Sequence, residues 1–174
     1  MTREATADGR DPRIAGIVLA AGRSSRMAPL NKLLLDAGGE PVVRRVAAAA
    51  LAAQLAPVVV VTGHAREAVT RALRGMQVEF AHNAESAEGI ASSLRAGVRA
   101  LPLDVDAAVV LLGDMPLVEA RHLRALLAAF APERGGSLCD ALHVQVFLAW
   151  LTSSPSYCTT DRARRAPRWR SIKP

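Results

Sequence analysis

The sequence predicts a three-layer α/β domain, an open and mostly parallel sheet with helices on both faces. Near-continuous apolar runs of strand length recur at 14–20, 58–62 and 107–112, and a strand that is apolar throughout, not alternately, is one buried on both faces. Stretches of helical length separate these runs, so strands and helices alternate. Gly22, Gly63 and Gly113 follow the three runs, marking where the chain leaves the sheet.

In chain order, the strand at 14–20 leads into a polar loop holding Arg23, Ser24, Ser25, Arg26 and, further on, Lys32. A helix is predicted over 41–54, with Pro41 suited to the first turn and an Ala-rich body, closed off by Pro57. The strand at 58–62 turns at Gly63-His64 into a helix over 66–73, stopped by Gly75. A short strand at 78–81 and a polar connection at 83–86 precede a helix over 88–101. The strand at 107–112 and a helix over 119–130 follow, and 141–151 is apolar enough for a further helix covering part of the sheet. In a parallel sheet the loops at 22–32, 62–64 and 113–116 converge at the carboxyl ends of the strands, where such folds bind ligands.

With 174 residues, 51% hydrophobic and 22% charged, the chain can bury one domain core. Aromatics are only 3%, so the core is expected to be Ala- and Val-rich helix on sheet. No apolar run approaches the roughly 18 residues of a membrane span and 1–13 has no hydrophobic segment of a secretory signal. The expectation is therefore a cytoplasmic protein without a membrane partner.

The net charge is +6, but from Ser137 onward six basic residues face two acidic ones, leaving only +2 on the first 136. The basicity belongs to the tail, and no ladder of stacking aromatics accompanies it, so no specific nucleic-acid partner is expected. Both Cys, both Trp and the single Tyr also lie after Gly136. Cys139 and Cys158 lack metal-ligand spacing and are expected to be free thiols.

Two polar foci suggest chemistry. Glycine and hydroxyl residues at 22–25 can turn backbone N–H groups toward an anion, and Arg23, Arg26 and Lys32 bring positive charge to the same loop. Neither GxxxxGK[ST] nor GxGxxG fits, because Lys32 lies well past Gly22 with Pro29 between them. Read alone, the loop fits a nucleotide site or a polar surface loop. Asp114 follows a buried strand directly and is stiffened by Pro116. Alone it reads as a turn cap; opposite the basic loop it reads as a carboxylate holding Mg²⁺ against phosphates.

LAAGRSSRM followed by Lys32 resembles the LAAGxSxRM...K signature of nucleotidyltransferases, and VLLGDMPLV at 110–118 resembles their LGDxP metal motif. With VTGH at 61–64 and Asn83 followed by EGIASSL at 88–94, the chain resembles the MobA-like enzymes, in particular the molybdenum-cofactor cytidylyltransferases. Four motifs in order over 14–130 are far more specific than any one.

The resemblance implies a Rossmann-like nucleotidyltransferase fold and transfer of CMP from CTP to molybdopterin, with pyrophosphate released and Mg²⁺ as cofactor. It assigns the triphosphate to Leu19, Ala20, Ala21, Gly22 and Ser24, leaving-group charge to Arg26 and Lys32, and Mg²⁺ to Asp114. Gly89 and Ser93 fall near base and ribose, Gly89 because a side chain would block close approach and Ser93 because it can bond a base edge. Thr62, Gly63 and His64 form a loop facing the site, although His64 also reads as a turn residue. The Ala20-Ala21-Gly22 form of the loop resembles the cytidylyl branch, and a molybdenum hydroxylase would receive the product. Another nucleotide or acceptor, and nucleotide binding without turnover, are the alternatives.

The chain departs from the pattern at Ala28, where Gly is usual, and after Gly136, where no motif of the family is recognised. A polar extension at 1–13, a nucleotidyltransferase domain at 14–136 and an atypical basic tail at 137–174 are therefore expected. The tail is expected to be irregular or loosely attached, leaving the C-terminal part of the fold incomplete.

Overall fold

A computed structural model describes residues 11–22, 30–129 and 147–150, the last four by their backbone. The elements run β1 (Ile14–Ala20), α1 (Val42–Ala52), β2 (Val58–Thr62), α2 (Arg66–Ala72), β3 (Glu79–His82), α3 (Ile90–Arg99), β4 (Ala107–Leu112), α4 (Ala120–Ala129) and β5 (Phe147–Trp150), with 3-10 turns at Lys32–Leu34 and Ser86–Glu88. The sheet order is β3-β2-β1-β4-β5. The first four strands are parallel, and β5 joins β4 antiparallel.

The register explains why the three central strands read as apolar throughout. Val18 lies beside Val60 on one side and Leu111 on the other, and this row packs with Val43 and Val46 of α1, Val69 of α2 and Leu123 of α4. The next row, Ile17 with Val59 and Val110, packs on the opposite face with Leu94 and Val98 of α3. Successive strand residues point to opposite faces, and both faces are covered. Each fully buried Val, Ile or Leu contributes about 1.5–3 kcal/mol, so these rows dominate the stability.

The sheet starts are tied by polar contacts. The backbone N of Arg13 donates to Asp106 Oδ2 at 2.7 Å, and the Arg13 guanidinium pairs with Asp104. At the other end, Gly113 N donates to Leu19 O at 2.9 Å, extending the β1–β4 ladder as far as the loop that carries Asp114. No helix among the described residues is long and apolar enough to cross a membrane.

Gly97 shows how closely α3 is held. A Cβ there would lie 2.6 Å from Ile17 Cγ2 and 3.0 Å from Val61 Cγ2, both methyls of stiff side chains on buried strands. Gly97→Ala gains about 1 kcal/mol of helix propensity, whereas overpacking costs about 1–3 kcal/mol. Overpacking wins, because neither methyl can swing aside. The variant is expected to lose about 1 kcal/mol, read as a lower thermal midpoint, and an unchanged or raised midpoint would refute the packing argument.

Four expectations require correction. The helix expected over 141–151 is a strand at Phe147–Trp150, and the irregular tail is likewise contradicted there. A short apolar run does not reveal its type by periodicity, whereas the backbone groups on the free edge of β4 select a strand. Helix α3 begins at Ile90, not 88, because Ser86–Glu88 is a 3-10 turn and Gly89 has φ 103°. Strand β3 is displaced by one residue, to Glu79–His82. The rest of the tail, and 1–10 of the N-terminal extension, lie outside the described residues.

Candidate active site

Strand order places β1 between β2 and β4, and the chain leaves β1 toward β2 but reaches β4 from β3 by way of α3. The reversal opens a crevice at the carboxyl ends of β1 and β4, the place where open α/β sheets bind ligands. A cavity of about 450 Å³ lies there. Leu19, Ala21 and Gly22 from β1 and its loop form one part of its wall, and Leu112 and Asp114 from the end of β4 form another. Lys32 and Leu33 close a third side, and Ser86, Gly89, Ile90 and Ser93 a fourth.

Lys32 is held in position by its neighbours. Asn31 caps the short turn by accepting from Leu33 N at 3.0 Å, and buried Leu33 anchors it in the core. From this turn Lys32 Nζ donates to Asp114 Oδ2 at 3.0 Å, across 82 residues of sequence. The side chains are 42% and 36% exposed, so the pair is solvent-screened and adds at most about 1 kcal/mol to stability. Such a pair matters for what it offers a ligand: a cation and a carboxylate side by side where two sides of the cavity meet.

Two close approaches and one positive-φ glycine shape the cavity. At Gly113 a Cβ would meet Leu19 O at 2.9 Å, so glycine lets the Asp114 loop follow β1. At Gly63 a Cβ would meet Ala21 O at 2.6 Å and Ser86 Cβ and Oγ at 2.8 Å. At Gly89 the surrounding space is open, and the φ of 103° itself favours glycine. Gly63→Ala should therefore push apart two loops that line the cavity. It is expected to cost about 1–3 kcal/mol of stability, as read by thermal melting, and an unchanged midpoint would refute the close approach.

The structure brings together Leu19, Ala21, Gly22, Lys32, Gly89, Ser93 and Asp114. Ala20 is buried beneath that wall. Thr62 is fully buried, with its hydroxyl donating to Ala81 O at 3.3 Å, and is not on the cavity wall. Gly63 stands behind the wall as the spacer just described, and His64 is exposed. Arg23, Ser24, Arg26 and Ala28 lie outside the described residues.

Asn83 has a larger part than its place at the start of a motif suggests. It is 5% exposed, and its side chain bonds Ser92, Ser93 and the backbone of Glu85. An Asn directly after a strand-like run, followed by Gly89 and paired serines, is the signal the sequence carries. Ser86, Ile90 and Leu112 also line the cavity without having been singled out.

The chain has the fold of the α/β nucleotidyltransferases. It is similar to a nucleotidyl transferase from Methanothermobacter thermautotroptrophicus, with TM-score 0.62 and 35% identity over 66% of this chain and 56% of that one. Rv0371c from Mycobacterium tuberculosis H37Rv superposes with TM-score 0.61 and 29% identity, covering 70% and 61% of the two chains. That protein is also known in complex with manganese. The chain belongs to the MobA-like NTP transferase domain family, which matches residues 16–156 and so extends past Gly136. Among curated relatives, the bifunctional protein GlmU of Stutzerimonas stutzeri is 36% identical over 120 residues, 68% of this chain and 26% of that protein. The chain thus spans about a quarter of the length of that relative.

Proposed function

We propose that the protein transfers CMP from CTP to molybdopterin, releasing pyrophosphate, and that a molybdenum hydroxylase receives the product. The observation that carries this reading is the Lys32–Asp114 pair, 3.0 Å apart, on the cavity wall shared with Ala21 and Gly22. The backbone at 19–22 cradles the triphosphate with Ser24, and Lys32 and Arg26 neutralise the charge that gathers on departing pyrophosphate. Gly89 and Ser93 receive the base and ribose, while Thr62 and Gly63 support the wall from behind. The Ala20-Ala21-Gly22 form of the loop supports CTP over GTP.

Asp114 is the one carboxylate among the described residues on the cavity wall. Mg²⁺ takes one or two carboxylates and completes its shell with phosphates and water, so the donor set fits. Held by Asp114, the ion would supply charge neutralisation on the triphosphate. The manganese complex of Rv0371c supports a divalent metal.

The test is a panel of CTP, GTP and ATP, each with Mg²⁺ and with molybdopterin or other phosphate-bearing acceptors, scored by pyrophosphate release. Release only with CTP and molybdopterin is expected. Release with another pair would change the substrate assignment and leave the chemistry standing. A second reading is nucleotide binding without turnover, motivated by the departure of the sequence after Gly136, where the acceptor motifs of the family are not recognised. CTP binding without pyrophosphate release under every condition would favour that reading.

A further inference from the structure

Lys32 and Asp114 meet on backbones that are each fixed. Asn31 Oδ1 holds the turn that carries Lys32, and Leu35 N closes that turn by donating to Lys32 O at 3.3 Å. On the Asp114 side, Gly113 N donates to Leu19 O at 2.9 Å and Met115 N to Leu112 O at 3.3 Å, so the backbone before and after the carboxylate is tied to β1 and β4. Between these anchors the ammonium reaches Oδ2 on a flexible four-carbon stem. Side-chain rotation alone can move it.

The bond has a consequence for any cation. Among the described residues of the cavity wall these two side chains carry the charges, one of each sign, so together they present no net charge to an approaching ion. Oδ1 of Asp114 can accept a cation while Lys32 stays on Oδ2. That does not relieve the conflict, because a divalent ion on either oxygen lies within a Debye length, about 8 Å, of the ammonium, and the two repel. A triphosphate changes the balance, since it offers the ammonium several anionic oxygens and the Lys32 side chain, 42% exposed, can turn toward them.

We propose that Lys32 is a counter-ion that keeps Asp114 from taking a divalent cation alone, and that a triphosphate, by drawing the ammonium away, opens Asp114 to the cation. The inference rests on the proposed nucleotide site and adds a dependence of metal uptake on the triphosphate.

Binding measurements on the full chain test this with two probes presented separately: Mn²⁺ alone, followed by loss of its free-ion electron paramagnetic resonance signal, and inorganic triphosphate without a divalent ion, followed by calorimetry. Lys32→Met removes the charge and keeps an unbranched stem. It is expected to bind Mn²⁺ about tenfold more tightly, the scale of one such repulsion removed in a water-like dielectric, and triphosphate about tenfold more weakly. The signs oppose. A merely structural disturbance would weaken both probes together, which would overturn the inference. Asp114→Ala added to Lys32→Met should abolish the gain in Mn²⁺ affinity. Arg71→Ala, which removes the same charge from an exposed position of α2 outside the cavity wall, should leave Mn²⁺ affinity unchanged. A gain that survives the loss of Asp114, or that Arg71→Ala reproduces, overturns the inference, as does an Mn²⁺ affinity that Lys32→Met does not raise. Where the unsubstituted protein binds CTP, those results overturn this inference alone; failure to bind any nucleoside triphosphate overturns the proposed function as well.

Discussion

Asp114→Ala is expected to lower Mg²⁺-dependent pyrophosphate release by about 10²–10³-fold, the loss of several kcal/mol of transition-state stabilisation when a metal ligand is removed. The fold should survive. Asp114 lies beyond the end of β4, its side chain is 36% exposed, and its bond to Lys32 is solvent-screened, so the stability change should stay within about 1 kcal/mol. Circular dichroism and a thermal melt separate the two effects. Retained activity at saturating Mg²⁺ would remove Asp114 from the metal role, and a collapsed melt would make it a structural residue instead.

Lys32→Ala should produce the second largest effect. Lys32 brings a positive charge beside Asp114 at the cavity, and on the proposed function its loss removes one of the cations that would offset the triphosphate. CTP affinity and transfer rate are each expected to fall at least about tenfold, as for other lost charge-assisted contacts to phosphate. The ratio of CTP to GTP binding should not move, because an ammonium on the phosphates does not touch the base. A variant with altered base preference but intact triphosphate affinity would show that Lys32 has been placed at the wrong end of the nucleotide.

The sequence by itself determined the layered α/β fold and the bounds of β1, β2 and β4. These strands are buried on both faces, and that burial demands uninterrupted apolar runs whose ends show as glycines and polar residues. The loops around Gly22 and Asp114 were legible for the same reason: a polar residue at the end of such a run must lie where the chain leaves the sheet. Tertiary structure alone decided the rest. Phe147–Trp150 became a strand because β4 offered an open edge, a fact about a distant neighbour that no local period records. Lys32 and Asp114 meet across 82 residues only because strand order sets β1 beside β4. Asn83 is polar in a polar loop, and its sequence neighbourhood does not reveal that the residue is buried. Its bonds to Glu85, Ser92 and Ser93 exist because the chain doubles back from the end of β3 into α3, bringing three side chains and one backbone N–H to a point that pattern and propensity do not specify.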